Sequence, residues 1–234
     1  LKNTQNDFFF LCRRAPDRLV QTVVELCRQR LPNNMGIPAE QIQVLSPTRK
    51  GVCGTVNLNR ALQAALNPPA AGKRQKLWGD MVFREGDRVM QTRNNYDVVW
   101  EKDDGAMGAG IFNGDVGVIQ EIDPSGELIT IQFDDRTCVY TADLLNQLDM
   151  AYAMTVHKAQ GSEYRCVVLV SAAVAPALMV RGVLYTAITR ARELLVLVGD
   201  DVAPGQMAAN DRQQRRYSGL RRRLREEAAN HGME

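Results

Sequence analysis

Apolar and polar positions change rhythm twice along the chain. "DFFFL" (7–11) is an apolar run of strand length. Residues 16–31 then place Leu19, Val20, Val23, Cys27 and Leu31 at helical spacing behind Pro16, which fits a first helical turn. "IQVLSP" (42–47) predicts a second strand, stopped by Pro47. Residues 54–69 predict a second helix, with Leu58, Leu62 and Leu66 on one face and two prolines at its end. Strand, helix, strand, helix at this rhythm predicts βαβ units and a parallel sheet.

Near residue 79 the period shortens. "GDMVFREGDRVMQTR" (79–93) alternates, and residues 114–141 predict three short strands with turns at "DPSGE" and "DDR". Short strands joined by tight turns predict a small barrel, because closure removes exposed edges. Between these stretches "EKDDGAMGAG" (101–110), charged and then glycine-rich, predicts a mobile loop. The first rhythm then resumes. "LLNQLDMAYAMTVHKAQ" (144–160) predicts a helix, and "CVVLV" (166–170) a central strand apolar on both faces. Residues 177–192 predict a helix, and "LLVLVGD" (194–200) another buried strand. The fold class is therefore α/β, a parallel sheet flanked by helices and interrupted by a small β-barrel.

Composition narrows the class without naming the chemistry. With 45% hydrophobic and 24% charged residues, the chain reads as a soluble globular protein with a sizeable core. A net charge of +2 is too small to argue for nucleic acid, so local distribution must carry that case. The five cysteines include no CxxC pair, and no Cys or His residues have metal-ligand spacing; reduced thiols, no metal site and a cytoplasmic location are expected. The most apolar window, 166–180, is too short for a membrane span and is interrupted by Pro176, so no membrane partner is expected. The start has no secretory pattern and no Met, which reads as a piece of a longer protein. Residues 212–225 carry seven arginines and no acid, which fits a solvated basic helix, a frayed end, or a docking surface for nucleic acid or a partner.

A phosphate-binding GxxxxGKS or GxxxxGKT is absent: Gly72-Lys73 is followed by Arg74. "GAGIFNG" (108–114) misses the dinucleotide-binding spacing. Parts complementary to a phosphate loop are present. Arg190, near a helix end and just before a buried strand, fits an arginine finger or a cation balancing the helix dipole. Arg49 follows the strand "IQVLSP", at an edge where α/β sheets place ligand-binding groups, or else in a basic surface turn. Two such arginines gain force if both face one phosphate. In "TVHKAQGSEY" (155–164), Gly161 permits a positive φ, and Glu163 can accept hydrogen bonds from ribose hydroxyls. Thr155, His157 and Lys158 offer donors to backbone phosphates, though a helical His or a solvated Lys serves structure equally well.

Taken in order, these residues resemble a known family. "AYAMTVHKAQGSEY" resembles motif V of superfamily 1 helicases, and "LYTAITRARELLVLVG" resembles motif VI. "GDRVMQTRNNYD" with "FNGDVGVI" resembles the barrel insert of RecD-like DNA helicases; "NDFFFL", "IQVLSPTRKG", "LNRALQAALNP" and "RRYSGLRRRL" resemble other C-terminal segments of that family. The resemblance implies a RecA-like second motor domain with an SH3-like β-barrel inserted: residues 1–77 and 147–203 as motor, 78–146 as barrel, 204–234 as basic tail. It implies ATP and Mg2+ held mainly by a first RecA-like domain of the same protein, single-stranded DNA as partner, and 5′→3′ movement. Arg190 would touch the γ-phosphate with Arg49 assisting, and Gly161 and Glu163 would meet phosphate and ribose. Thr155, His157 and Lys158 would meet DNA, with Arg93, Asn94 and Asn95 as further DNA candidates. "VVWEKDDGAMGAGI" intervenes where relatives usually pass directly from "NNYD" to "FNGD". Two other readings are a stand-alone nucleic-acid-binding module and a partner-docking part of a repair complex.

Overall fold

A computed structural model describes residues 6–172 and 176–211, with 219, 223–225 and 227. The basic segment 212–225 falls mostly outside the described residues. In chain order the first elements are β1 (Phe8–Cys12), α1 (Pro16–Glu25), α2 (Leu31–Met35), β2 (Ile42–Ser46) and α3 (Thr55–Leu66). A ribbon follows, β3 (Gln75–Trp78) and β4 (Met81–Arg84). Then come β5 (Arg88–Gln91), β6 (Asn95–Glu101), β7 (Met107–Ile111), β8 (Val116–Ile122), β9 (Leu128–Phe133) and β10 (Arg136–Thr141). The last elements are β11 (Leu148–Met150), β12 (Ala153–Thr155), β13 (Tyr164–Ser171), α4 (Arg181–Ile188), β14 (Ala191–Gly199) and α5 (Ala203–Ala209).

Five strands form a parallel sheet in the order β1-β14-β13-β2-β12. Its central strands are apolar on both faces because helices cover both. Val44, Val168 and Val196 join the core beneath α1 and α3, while their neighbours Leu45, Val167 and Leu195 join the core beneath α4. Each such buried side chain stabilises the fold by roughly 1.5–3 kcal/mol. The first helix runs on past residue 31. A π-helical turn, Leu26–Arg30, joins α1 to α2, and Leu31 N–H donates to Leu26 O. Pro32 explains the widening: it lacks an N–H, and its ring would strike the carbonyl four residues back.

Seven strands form an antiparallel sheet in the order β11-β5-β8-β9-β10-β6-β7. It wraps a core that includes the fully buried Ile111, Ile119, Ile131, Phe133 and Tyr140. Side chains bridge the seam between its ends: Asn95 Nδ2 and Gln91 Nε2 both donate to Gln147 Oε1, each at 3.0 Å.

Three expectations need correction. Residues 144–160 are not a helix. They form a 3₁₀ turn (Ala142–Gln147), then β11 in one sheet and β12 in the other, then a looping segment. The apolar positions imitated helical spacing because two three-residue strands are too short to show their own period. Residues 101–110 are not a loop throughout: β6 and β7 form a hairpin, with Glu101 opposite Met107. Gly108 serves packing there, since a Cβ at that position would run into the Trp100 indole. The helix expected over 177–192 is confined to α4, so Arg190 lies in the connection to β14.

Candidate functional site

The segment from Val156 to Glu163 connects the carboxyl end of β12 to the amino end of β13, which lie on either side of β2. It crosses the α4 face of the sheet as a series of turns. Val156 and Ala159 are its buried anchors in the core beneath α4. Lys158 and Ala159 N–H both donate to Thr155 O, at 3.0 and 3.2 Å. With the anchors inside, His157, Gln160, Gly161 and Glu163 are exposed. Gly161 has φ 88, and a Cβ there would meet no atom within 4 Å, so its backbone conformation rather than crowding selects glycine. Among the described residues the Glu163 carboxylate and the His157 ring have no hydrogen bond or ion pair.

Arg190 is bonded to the far end of this segment. Its guanidinium donates to Ser162 O at 2.9 Å, Thr186 O at 3.1 Å and Thr189 Oγ1 at 3.1 Å. Tyr164 N–H in turn donates to Arg190 O at 2.8 Å. Three of the five guanidinium N–H groups are thus occupied, which leaves two for an anion. The structure therefore brings Arg190, Gly161 and Glu163 to one edge of the sheet, where β13 and β14 begin.

The near end of the segment meets the seven-stranded unit. Lys158 Nζ donates to Asn113 Oδ1 at 2.5 Å and to Thr92 O at 3.4 Å. The expected DNA residues Arg93, Asn94 and Asn95 follow Thr92 directly. Asn94 Oδ1 accepts from Asn113 N–H at 3.0 Å, and exposed Arg93 donates to Asn146 Oδ1 at 2.7 Å. Asn95 is half-buried and spends its amide on the seam. Sequence reasoning missed Thr92 and Asn113 as partners of Lys158, although Asn113 stands in the quoted "FNGD".

Arg49 is grouped with the Lys158 side and not with Arg190. Its guanidinium forms a two-pronged pair with Asp149, at 3.1 and 3.2 Å, and lines a groove shared with Thr155 and Lys158. The idea of Arg49 and Arg190 on one phosphate finds no support in that placement.

A buried polar node fixes the seven-stranded unit to the parallel-sheet unit. Asp87 is fully buried, and four donors fill its carboxylate: Asn67 Nδ2 at 2.7 Å, Tyr152 Oη at 2.9 Å, Gln63 Nε2 at 2.6 Å and Arg84 N–H at 2.7 Å. Burial pushes its pKa above the ordinary carboxylate value; these hydrogen bonds oppose the rise. Alongside, Arg88 donates to Ile42 O at 3.1 Å and Gln43 Oε1 at 3.0 Å, and burial lowers its pKa. These contacts thus bear on Tyr152, just before the β12 strand that leads into the 156–163 segment, and on β2 beside it.

Among the described residues no group of three or more His, Cys, Asp or Glu side chains gathers to hold a metal ion, and no helix is long and apolar enough to cross a membrane. Residues 58–133 match the family model of the ATP-dependent RecD-like DNA helicase SH3 domain, and residues 150–198 that of the UvrD-like helicase C-terminal domain. The ATP-dependent RecD2 DNA helicase of Deinococcus radiodurans is 36% identical over 184 residues, covering 79% of this chain and 23% of that protein. The RecBCD enzyme subunit RecD of Mycolicibacterium smegmatis is 31% identical over 186 residues, covering 80% of this chain and 30% of that protein. A solved structure of Bacteroides Pif1 bound to ssDNA is similar at 16% identity and a TM-score of 0.47, covering 92% of this chain and 51% of that one. The chain thus spans less than a third of the length of these two curated relatives. With the RecD-like SH3 domain followed by the UvrD-like C-terminal domain, and with RecD proteins as relatives, the chain belongs to the RecD-like helicases.

Proposed function

We propose that this chain is the C-terminal motor portion of an ATP-dependent 5′→3′ DNA helicase. One observation carries the reading: a single short segment is bonded at one end to Arg190 and at the other, through Lys158, to the barrel. A change on the nucleotide side has a short covalent path to the DNA side. In this reading residues 1–77 and 147–203 are motor, 78–146 barrel and 204–234 tail. Arg190, with two free N–H groups, would stabilise charge on the transferred phosphoryl group. The open backbone at Gly161 and the unpartnered Glu163 carboxylate fit phosphate and ribose. Thr155, His157, Lys158, Arg93 and Asn94 form the DNA side, and we reassign Arg49 to it. Asn95, given to the seam, is a supporting residue. ATP and Mg2+ would be held mainly by a first RecA-like domain of the same protein, so this chain alone would turn over no ATP. The test is DNA-stimulated ATP hydrolysis by the full-length protein carrying Arg190→Ala. A loss on the order of 10³-fold is expected; retained hydrolysis would overturn the finger assignment.

A further inference from the structure

Beside the Lys158 contact lies a groove of about 780 Å3 that the motifs do not account for. One wall is α3, with Val56 and Arg60. The other is the tip of the β3–β4 ribbon, where Trp78 and Met81 stand opposite each other across the turn at Gly79 and Asp80. The ribbon takes this turn because Gly79 has φ 57, which a two-residue hairpin turn needs at its first central position. Buried Met150 and Met154 line the groove as well, and Thr155, Lys158 and Arg49 lie along it.

Its chemistry is uneven in a useful way. Trp78 is half-buried and so presents part of its ring. Arg60 is exposed, and its guanidinium has no ion pair or hydrogen bond among the described residues. Asp149 neutralises Arg49, which leaves Arg60 and Lys158 against Asp80. An aromatic platform and apolar sulfur-bearing side chains beside excess cations match single-stranded nucleic acid, whose bases stack while its phosphates meet Lys and Arg. The volume falls in the range of roughly 300–1,000 Å3 that encloses drug-sized ligands, enough for roughly one or two bases.

We propose that this groove is a base-binding subsite for the single strand that passes Lys158, with one base stacked on Trp78 and a neighbouring phosphate on Arg60. This rests on the DNA reading above. The test uses the full-length protein and oligothymidylate carrying 5-iodouracil, photocrosslinked and mapped by mass spectrometry. An adduct at Trp78 is expected. Trp78→Ala should weaken oligonucleotide binding about ten-fold, and Trp78→Phe, which keeps a ring and the ribbon fold, should retain most of it. Arg60→Gln should lower the slope of log affinity against log salt by about one. Adducts confined to other residues, or unchanged affinity in Trp78→Ala, would overturn the subsite, assign the groove to another occupant such as a peptide, and leave the DNA reading standing. Failure of the wild-type protein to bind any oligonucleotide would remove both.

Discussion

Two polar clusters interrupt the apolar pattern of this chain, and they have opposite fates. Around Asp87 four donors fill the carboxylate from within, on α3 and the residue that follows it, at the end of β4 and just before β12. In the 156–163 segment only Val156 and Ala159 are fully buried, and several polar side chains point outward. The difference teaches where function resides. A buried polar group must spend its hydrogen bonds on the fold, because an unmet one costs more than a met one contributes. Asp87 therefore acts as a latch between units. The exposed segment keeps donors and an acceptor unspent, and these can meet a ligand.

The largest test of this contrast is Asp87→Ala. It would remove an acceptor shared by four donors, three of them on the buried residues Asn67, Arg84 and Tyr152 and one on half-buried Gln63. A loss of about 3–5 kcal/mol in urea unfolding is expected. A loss below about 1 kcal/mol would place Asp87 with ordinary surface residues. Next is Lys158→Ala. Stability should change by less than about 1 kcal/mol, because the side chain is partly exposed. DNA affinity of the full-length protein should fall several-fold, and its salt slope by about one, as expected for one lost phosphate contact. An unchanged salt slope with a large stability loss would make Lys158 a second latch.

The smallest effect separates two carboxylates by the sign of their titration. Asp87 has a raised pKa from burial, so the folded state holds its proton more readily than the unfolded chain does. Its contribution is most favourable below the ordinary carboxylate value and declines as pH rises through the folded value. Asp123 is the reverse. The Ser125 hydroxyl and the Leu128 N–H, donating at 2.5 and 2.8 Å, hold it at about 2. Its contribution is present above the ordinary value and is lost as pH falls through about 2. Carboxyl NMR should find the two on opposite sides of the ordinary carboxylate value; the same midpoint for both would dissolve the distinction.

Much of the fold was legible because burial repeats. β2, β13 and β14 announced themselves as apolar runs, and β8, β9 and β10 as short strands between recognisable turns. The errors came where a residue answered to a distant partner. Met150 is paired with Val89, and Ala153 with Val44, so one expected helix became strands in two sheets. The glycines at 108 and 110 suggested flexibility, yet Gly108 is there to admit Trp100. In the site, Arg190 and the 156–163 segment could be picked out by motif. Asn113, Thr92 and the groove around Trp78 could not, because their partners lie tens of residues away in the chain.

Local chemistry, which the sequence carries by itself, determined the strand and helix periods, the positive-φ glycine at 161 and the polar inventory between residues 155 and 163. Tertiary structure alone decided which of those polar groups were spent. Asp87 and Glu163 are both carboxylates in a written sequence. Folding surrounds one with four donors and leaves the other facing solvent. Desolvation and hydrogen-bond satisfaction are properties of packed neighbours, and no local pattern along the chain encodes them.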